Sequence, residues 1–292
     1  MSGENGKRFE SVPVPESSGF LRFLYGTVPG RLLLKPLVRP GFSAFAGKLL
    51  SLPVSACLIR SFVRKYRIDL SDYESVSYQS FNDFFTRKIL PGKRPADPDP
   101  DALIAPCDGL LSAYRIREGT VLPVKQSRYT AESLLRDGAL ASSYDGGVCL
   151  VFRLCVDHYH RYCFPADGTV RKTVRVPGVL HTVRPVALQA VPVFTENTRE
   201  YAVIETERFG TVVQMEVGAL LVGRIDNGVT GGLAVRGEEK GKFLYGGSTV
   251  ILLLKKDAAV FPEELFSETE KGNEIRIRMG TGIGYSSMIE KS

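Results

Sequence analysis

Residues 148–156 read VCLVFRLCV. Val148, Leu150, Phe152, Leu154 and Val156 fall on one side of this run, and Cys149, Val151, Arg153 and Cys155 on the other. A period of two with apolar residues on both sides is the pattern of a strand covered on both faces. Similar runs occur at 201–206, 211–225 and 248–256, while Ile275, Ile277 and Met279 alternate with Arg276 and Arg278, as in a strand with one wet face. From about residue 101 onward the chain is therefore expected to be rich in strands. With 43 % apolar and 24 % charged residues it can build a sizeable core. No period of 20 to 50 residues repeats, which excludes a solenoid.

The N-terminal part differs. Residues 1–18 are polar, carry Pro13 and Pro15, and are expected to be disordered. Residues 19–70 read as short helices, because Pro29, Pro36, Pro40 and Pro53 each limit helix length. Ser80 is expected to cap a helix with Asp83 as its partner, and Phe81, Phe84 and Phe85 give that helix a buried side. The fold class expected is α+β: a helical N-terminal layer packed on a β-rich core of mainly antiparallel sheets.

Charge placement narrows the partners. The net charge is +6, and Gly19–Ile68 holds nine Arg or Lys residues with no Asp or Glu. Leu, Phe, Val and Ile are interleaved with these cations. Such a segment suits nucleic acid or anionic lipid, and its apolar content favours lipid over nucleic acid. Residues 19–75 are read as a basic amphipathic region that associates with a membrane, with Arg22, Arg31, Lys35 and Arg39 as headgroup contacts. The longest uncharged run, Phe243–Leu254, has twelve residues. A spanning helix needs about twenty, so a peripheral protein on the cytoplasmic face of the cell membrane is expected. Five cysteines without a C-x-x-C pair fit reduced thiols. Cys107, His158, His160 and Cys163 match no standard zinc spacing, so no metal is expected.

The chemistry concentrates at Gly246-Gly247-Ser248. Glycines there permit turn geometries closed to other residues, and the Ser248 hydroxyl neighbours the Gly247 carbonyl. Attack would turn the peptide into an ester. Loss of the Ser248 α-proton would expel the Gly247 carboxylate, and hydrolysis of the resulting dehydroalanine would leave a pyruvoyl group and ammonia. The same residues also describe an ordinary glycine turn leading into a strand.

Seven segments decide between these readings: FNDFFTRKILPGKRP (81–95), APCDG (105–109), YHRYCFPADG (159–168), PGVLHTVRP (177–185), NTREYAV (197–203), MEVGALLVGRI (215–225) and GEEKGKFLYGGSTV (237–250). In this order they resemble phosphatidylserine decarboxylase proenzymes from about residue 75 to the C-terminus. The resemblance implies a catalytic domain over 76–292, cleaved between Gly247 and Ser248 into a large (1–247) and a small (248–292) subunit that remain associated. It implies a covalent pyruvoyl group made from Ser248, whose ketone forms a Schiff base with the substrate amine and accepts the electrons released with CO₂. Phosphatidylserine is the implied substrate and an anionic membrane surface the implied partner, and a homodimer is compatible with both.

By the same resemblance Asp108 orients the histidine that activates Ser248, His160 returns a proton to the substrate, and Tyr159 and Arg161 contact it. The family's second histidine falls on Cys163. The activating base is then assigned first to His181, next to His160 in a double role, and after these to His158 or Cys163. A neutral imidazole suits the task, having a reference pKa of about 6.5, better than a thiol near 8.5. Two alternatives stay open: a pyruvoyl decarboxylase of a free amino acid or another serine lipid, and an uncleaved membrane-binding relative without activity.

Overall fold

A computed structural model describes residues 9–14, 18–118, 120–124, 127–220, 224–228, 230–244 and 248–287. Its centre is a nine-stranded sheet. From one edge to the other run Glu10–Pro13, Asn273–Ile277, Gly109–Arg115, Val148–Leu154, Ser248–Leu254, Gly210–Val217, Arg199–Thr206, Gly168–Val176 and Gly232–Ala234. Every pairing is antiparallel. The alternation in 148–156 and 248–256 corresponds to the two central strands, and all seven residues of Ser248–Leu254 are buried. Burial on both faces explains why both sides of these runs are apolar.

A smaller sheet of Ile225–Asn227, Glu239–Phe243 and Arg161–Cys163 lies over one face of the large one. Gln214 Nε2 from the large sheet donates to the Cys163 carbonyl (3.1 Å), and Lys240 Nζ reaches Glu216 (2.6 Å). The run 211–225 is not one strand. It ends at Val217, because Asn197 Nδ2 takes the Gly218 carbonyl (2.7 Å) and turns the chain out of the ladder.

The N-terminal helices are Gly19–Gly26, Val28–Leu37, Pro40–Leu50 and Cys57–Tyr66, with a 3₁₀ turn at Pro53–Ala56. Proline starts three of these pieces, where a missing N–H costs nothing. The first two helices meet so closely that a Cβ on Gly30 would stand 2.1 Å from the Phe23 carbonyl oxygen. Leu24, Tyr25, Leu34 and Val38 join the main core, whereas Leu50, Ile59, Phe62 and Val63 pack with Phe81, Phe84 and Phe85 in a separate cluster. The helical layer and the segment that follows it are thus bound by shared packing across residue 75. Ser80 caps Phe81–Phe85 as expected, its hydroxyl accepting from Asp83 N (3.2 Å), although Asp83 itself turns to Gln79 N (2.9 Å).

Expected disorder up to residue 18 does not hold for Glu10–Pro13. This segment forms an edge strand on Asn273–Arg276, with Phe9 buried beside it. A backbone ladder offered by a distant strand ordered residues that lack a pattern of their own.

The helical layer exposes an unusual surface. Phe20, Leu32, Leu33, Phe45 and Val54 are each more than half exposed, and Arg22, Arg31, Lys35, Arg39 and Lys48 are exposed among them. Among the described residues no single helix is long and apolar enough to cross a membrane.

Candidate active site

Cross-strand register fixes where the expected residues stand. Leu110, Arg153, Thr249, Val217 and Arg199 form one row across five strands. Ser248 is one step further along, opposite Leu154, and Asp108 immediately precedes the strand Gly109–Arg115. Ser248 and Asp108 therefore share one end of the sheet, on either side of Val148–Leu154 and about 10 Å apart at two strand spacings. Residues 155–160 cross this end before entering the smaller sheet.

Ser248 is fully buried, and neither its Oγ nor Thr249 Oγ1 has a hydrogen-bond partner among the described residues. Leaving a buried hydroxyl unsatisfied costs about 1–3 kcal/mol. Gly247, the other half of the expected cleavage site, lies outside the described residues.

Asp108 is nearly buried and is held by a fork: Arg94 Nε donates to Oδ1 (2.9 Å) and Arg94 Nη2 to Oδ2 (2.8 Å), while Met279 N donates to Oδ1 (2.8 Å). Arg94 Nη1 also reaches Asp72 (2.9 Å). The carboxylate thus anchors the chain entering the central sheet. The histidine sharing its cleft is His158. Burial pushes the His158 pKa down, with the charges of Asp157 and Asp108 opposing, and His158 Nδ1 accepts from Cys155 N (3.2 Å).

His160 has no exposed surface, and its Nδ1 is 2.9 Å from the His158 carbonyl oxygen. A carbonyl can only accept, so in the neutral ring the proton is on Nδ1 and Nε2 carries the basic lone pair. The ring packs on Phe85, with centroids 4.0 Å apart. The His160 carbonyl accepts from Phe243 N (2.9 Å), at the end of the strand leading toward the Gly247–Ser248 step.

His181 is engaged at both ring nitrogens. Its Nδ1 is 3.2 Å from Tyr25 Oη, and its Nε2 is 3.4 Å from Glu196 Oε2. Burial raises the Tyr25 pKa to about 12 and lowers that of His181, so a neutral phenol donates to a neutral imidazole. Both ring nitrogens thereby clasp the first helix to the core. Through Asn197, which donates to the His181 and Gly218 carbonyls (2.8 and 2.7 Å), this clasp is tied to the turn after Val217, the residue opposite Thr249.

Cys163 is buried with its pKa raised to about 12 by desolvation, which makes it a neutral thiol and a poor base. Arg161, expected at the substrate, instead donates to the Thr86 carbonyl (2.9 Å) and to Glu239 (2.6 Å), joining a helix end to the smaller sheet. Tyr159 is buried 6.0 Å from the Tyr73 ring. Cys155, Asp157 and His158 could bring ligand atoms within 4.8 Å of one another, but Cys155 also takes Arg153 Nη1 (3.3 Å), and the group serves to close a turn.

Two buried ion pairs went unanticipated. Arg153, the cross-strand neighbour of Thr249, forks onto Glu274. Glu216 Oε2 pairs with Lys240 (2.6 Å) and accepts from Asn227 Nδ2 (3.3 Å), while its Oε1 has no partner among the described residues. Burial pushes the Glu216 carboxyl upward and Lys240 pulls it back. The signal was a Glu between Met215 and Val217, two positions after Gln214, in a strand whose other residues from Val212 on are apolar.

Comparison with known proteins now adds to this geometry. A family model described as phosphatidylserine decarboxylase matches residues 81–285. Phosphatidylserine decarboxylase proenzyme 2 of Clostridium acetobutylicum is 43 % identical over 271 residues, covering 92 % of this chain and 93 % of that protein. A phosphatidylserine decarboxylase proenzyme of Fusobacterium nucleatum is 38 % identical over 272 residues, covering 91 % of each.

Proposed function

This chain belongs to the phosphatidylserine decarboxylase family and is a carboxy-lyase; from that premise we propose that it breaks its own Gly247–Ser248 bond and then converts phosphatidylserine to phosphatidylethanolamine at a membrane surface. The observation that carries this reading is the buried Ser248 hydroxyl, partnerless among the described residues at the head of the central strand. A nucleophile with no competing hydrogen bond is suited to attack the adjoining carbonyl.

In self-cleavage Ser248 Oγ adds to the Gly247 carbonyl carbon, and the Ser248 nitrogen leaves with a proton, giving an ester. Loss of the Ser248 α-proton then expels the Gly247 carboxylate from Cβ, and water releases ammonia to leave the pyruvoyl terminus. We assign the Oγ proton to His160 Nε2. His181 is held between Tyr25 and Glu196, on the side of the helical layer, whereas the His160 backbone carbonyl is bonded to Phe243, on the strand that leads to the bond. Asp108, gripped by Arg94, fixes the sheet end that residues 155–160 cross. The pyruvoyl group supplies an electron-withdrawing carbonyl that takes up the electron pair left as CO₂ departs. His160 is also our donor of the proton that returns to the substrate carbon.

Action at a membrane is supported by the exposed apolar residues of the helical layer and the cations among them. Apolar side chains enter the interface while Arg and Lys meet anionic headgroups. That arrangement favours a lipid substrate over a free amino acid, and the cytoplasmic leaflet, where anionic lipids are concentrated. Purified protein incubated with phosphatidylserine vesicles should release CO₂ and accumulate phosphatidylethanolamine, and Ser248→Ala should stay whole and inactive. Turnover by uncleaved Ser248→Ala would refute the reading.

A further inference from the structure

A cavity of about 240 Å³ opens on the Ser248 face of the sheet. Its walls include Pro40 of the helical layer, Arg175, Thr198, Glu200, Gly218 and Arg224. Register shows how these residues relate to Ser248. Arg175 is opposite Glu200, Glu200 opposite Glu216, and Glu216 opposite Val250. Directly opposed residues share a face, and side chains on a strand return to the same face every second residue. Arg175, Glu200, Glu216 and Ser248 therefore project from one face. Ser248 and Glu216 are diagonal neighbours, about 7–8 Å apart between Cα atoms and within reach of a long side chain. The residue just after the end of Glu216's strand is Gly218, which lines the cavity and puts no side chain in the way.

Charge along this face is graded. Outermost are Arg175, exposed and without an ion pair among the described residues, and Arg224, whose nearest carboxylate, Asp226, is 3.7 Å away. Further in, Glu200 accepts from Asn227 Nδ2 (2.7 Å), which also bonds Glu216. One strand beyond Glu200, behind the cavity wall, is Glu216, fully buried with one oxygen on Lys240 and the other partnerless among the described residues. Cations at a mouth beside the lipid-facing helices and an acceptor near residue 248 match a ligand with an anionic outer part and an amino inner end.

Resting on the proposed function, we propose that this cavity receives the aminophospholipid headgroup, with Arg175 and Arg224 holding its phosphate and Glu216 its amino group. A phosphodiester carries the oxygens that guanidinium donors match. The partnerless Glu216 oxygen accepts from the ammonium group and brings the nitrogen to the end generated at residue 248.

Full-length, uncleaved Ser248→Ala protein is titrated calorimetrically with soluble glycerophosphoserine, with glycerophosphoglycerol and with free serine. Adding Arg175→Ala and Arg224→Ala should raise the Kd for both glycerophosphodiesters about tenfold, equivalent to about 1.4 kcal/mol, and leave free serine unchanged. Adding Glu216→Gln instead should abolish the preference for glycerophosphoserine over glycerophosphoglycerol. In the cleavable protein, the double arginine variant should self-process to the wild-type extent and show a KM for phosphatidylserine in mixed micelles raised about tenfold. Unchanged Kd and KM values in the arginine variants overturn the assignment, as does a preference for the serine headgroup that survives Glu216→Gln. Wild-type protein that neither cleaves nor decarboxylates would refute the proposed function instead, so the two failures are distinguishable.

Discussion

Three histidines stand at one end of the sheet, and their partners separate their roles. His160→Ala should leave the chain uncut on a denaturing gel, because it removes the imidazole assigned to the Ser248 proton. His181→Ala should still cleave but unfold at a lower urea midpoint, losing about 1–2 kcal/mol with the Tyr25 contact. Abolished cleavage in a stably folded His181→Ala protein would reverse the assignment. Arg94→Ala strands the nearly buried Asp108 carboxylate, and a loss of about 3 kcal/mol is expected in urea unfolding. Ser248 and Asp108 could be singled out as candidates by motif, since the segments around them carry the resemblance. The place of His181 could not be: its ring is governed by Tyr25, 156 positions away. Glu216 was masked for a related reason, since the Lys240 that makes its burial tolerable comes from another sheet.

Among the elements, the central strands were the most legible, because burial on both faces writes itself into both sides of the alternation. The edge strand Glu10–Pro13 was the least legible, because its order comes from the ladder of Asn273–Arg276. The break at Val217 was equally hidden, being imposed by the Asn197 amide on Gly218. The helical layer was legible as basic and apolar, and the structure adds which side chains stay outside. Leu32→Asn, Leu33→Asn and Phe45→Asn together should reduce pelleting with phosphatidylserine vesicles several-fold. Each is more than half exposed, so each should shift stability by no more than about 0.5 kcal/mol. Undiminished pelleting would remove this face from the membrane contact.

For the molecule as a whole, the fold joins the basic, apolar helical layer to the sheet end that carries Ser248, through the Tyr25–His181 clasp and the Asn197 bridge to Gly218. One of these links, His181, is a buried neutral histidine, and His158 lines the cleft beside Asp108 at the same sheet end. Burial lowers the pKa of both His158 and His181 in the folded state. Such groups contribute stability that is present above the unfolded value of about 6.5 and is lost as pH falls through the folded values, because the unfolded chain takes up protons first. The urea midpoint should therefore drop between pH 7.5 and 5.5, and His181→Gln should flatten part of that drop. A midpoint that rises on acidification would contradict the neutral pairing of Tyr25 with His181.

Mass spectrometry of the purified, active protein under denaturing conditions bears on the central bond most directly. Two polypeptides of about 27 and about 5 kDa, in proportion to a 32.1 kDa chain, are expected, the smaller beginning with a pyruvoyl group in place of Ser248. A single chain that still carries serine at position 248 while releasing CO₂ from phosphatidylserine would contradict the account.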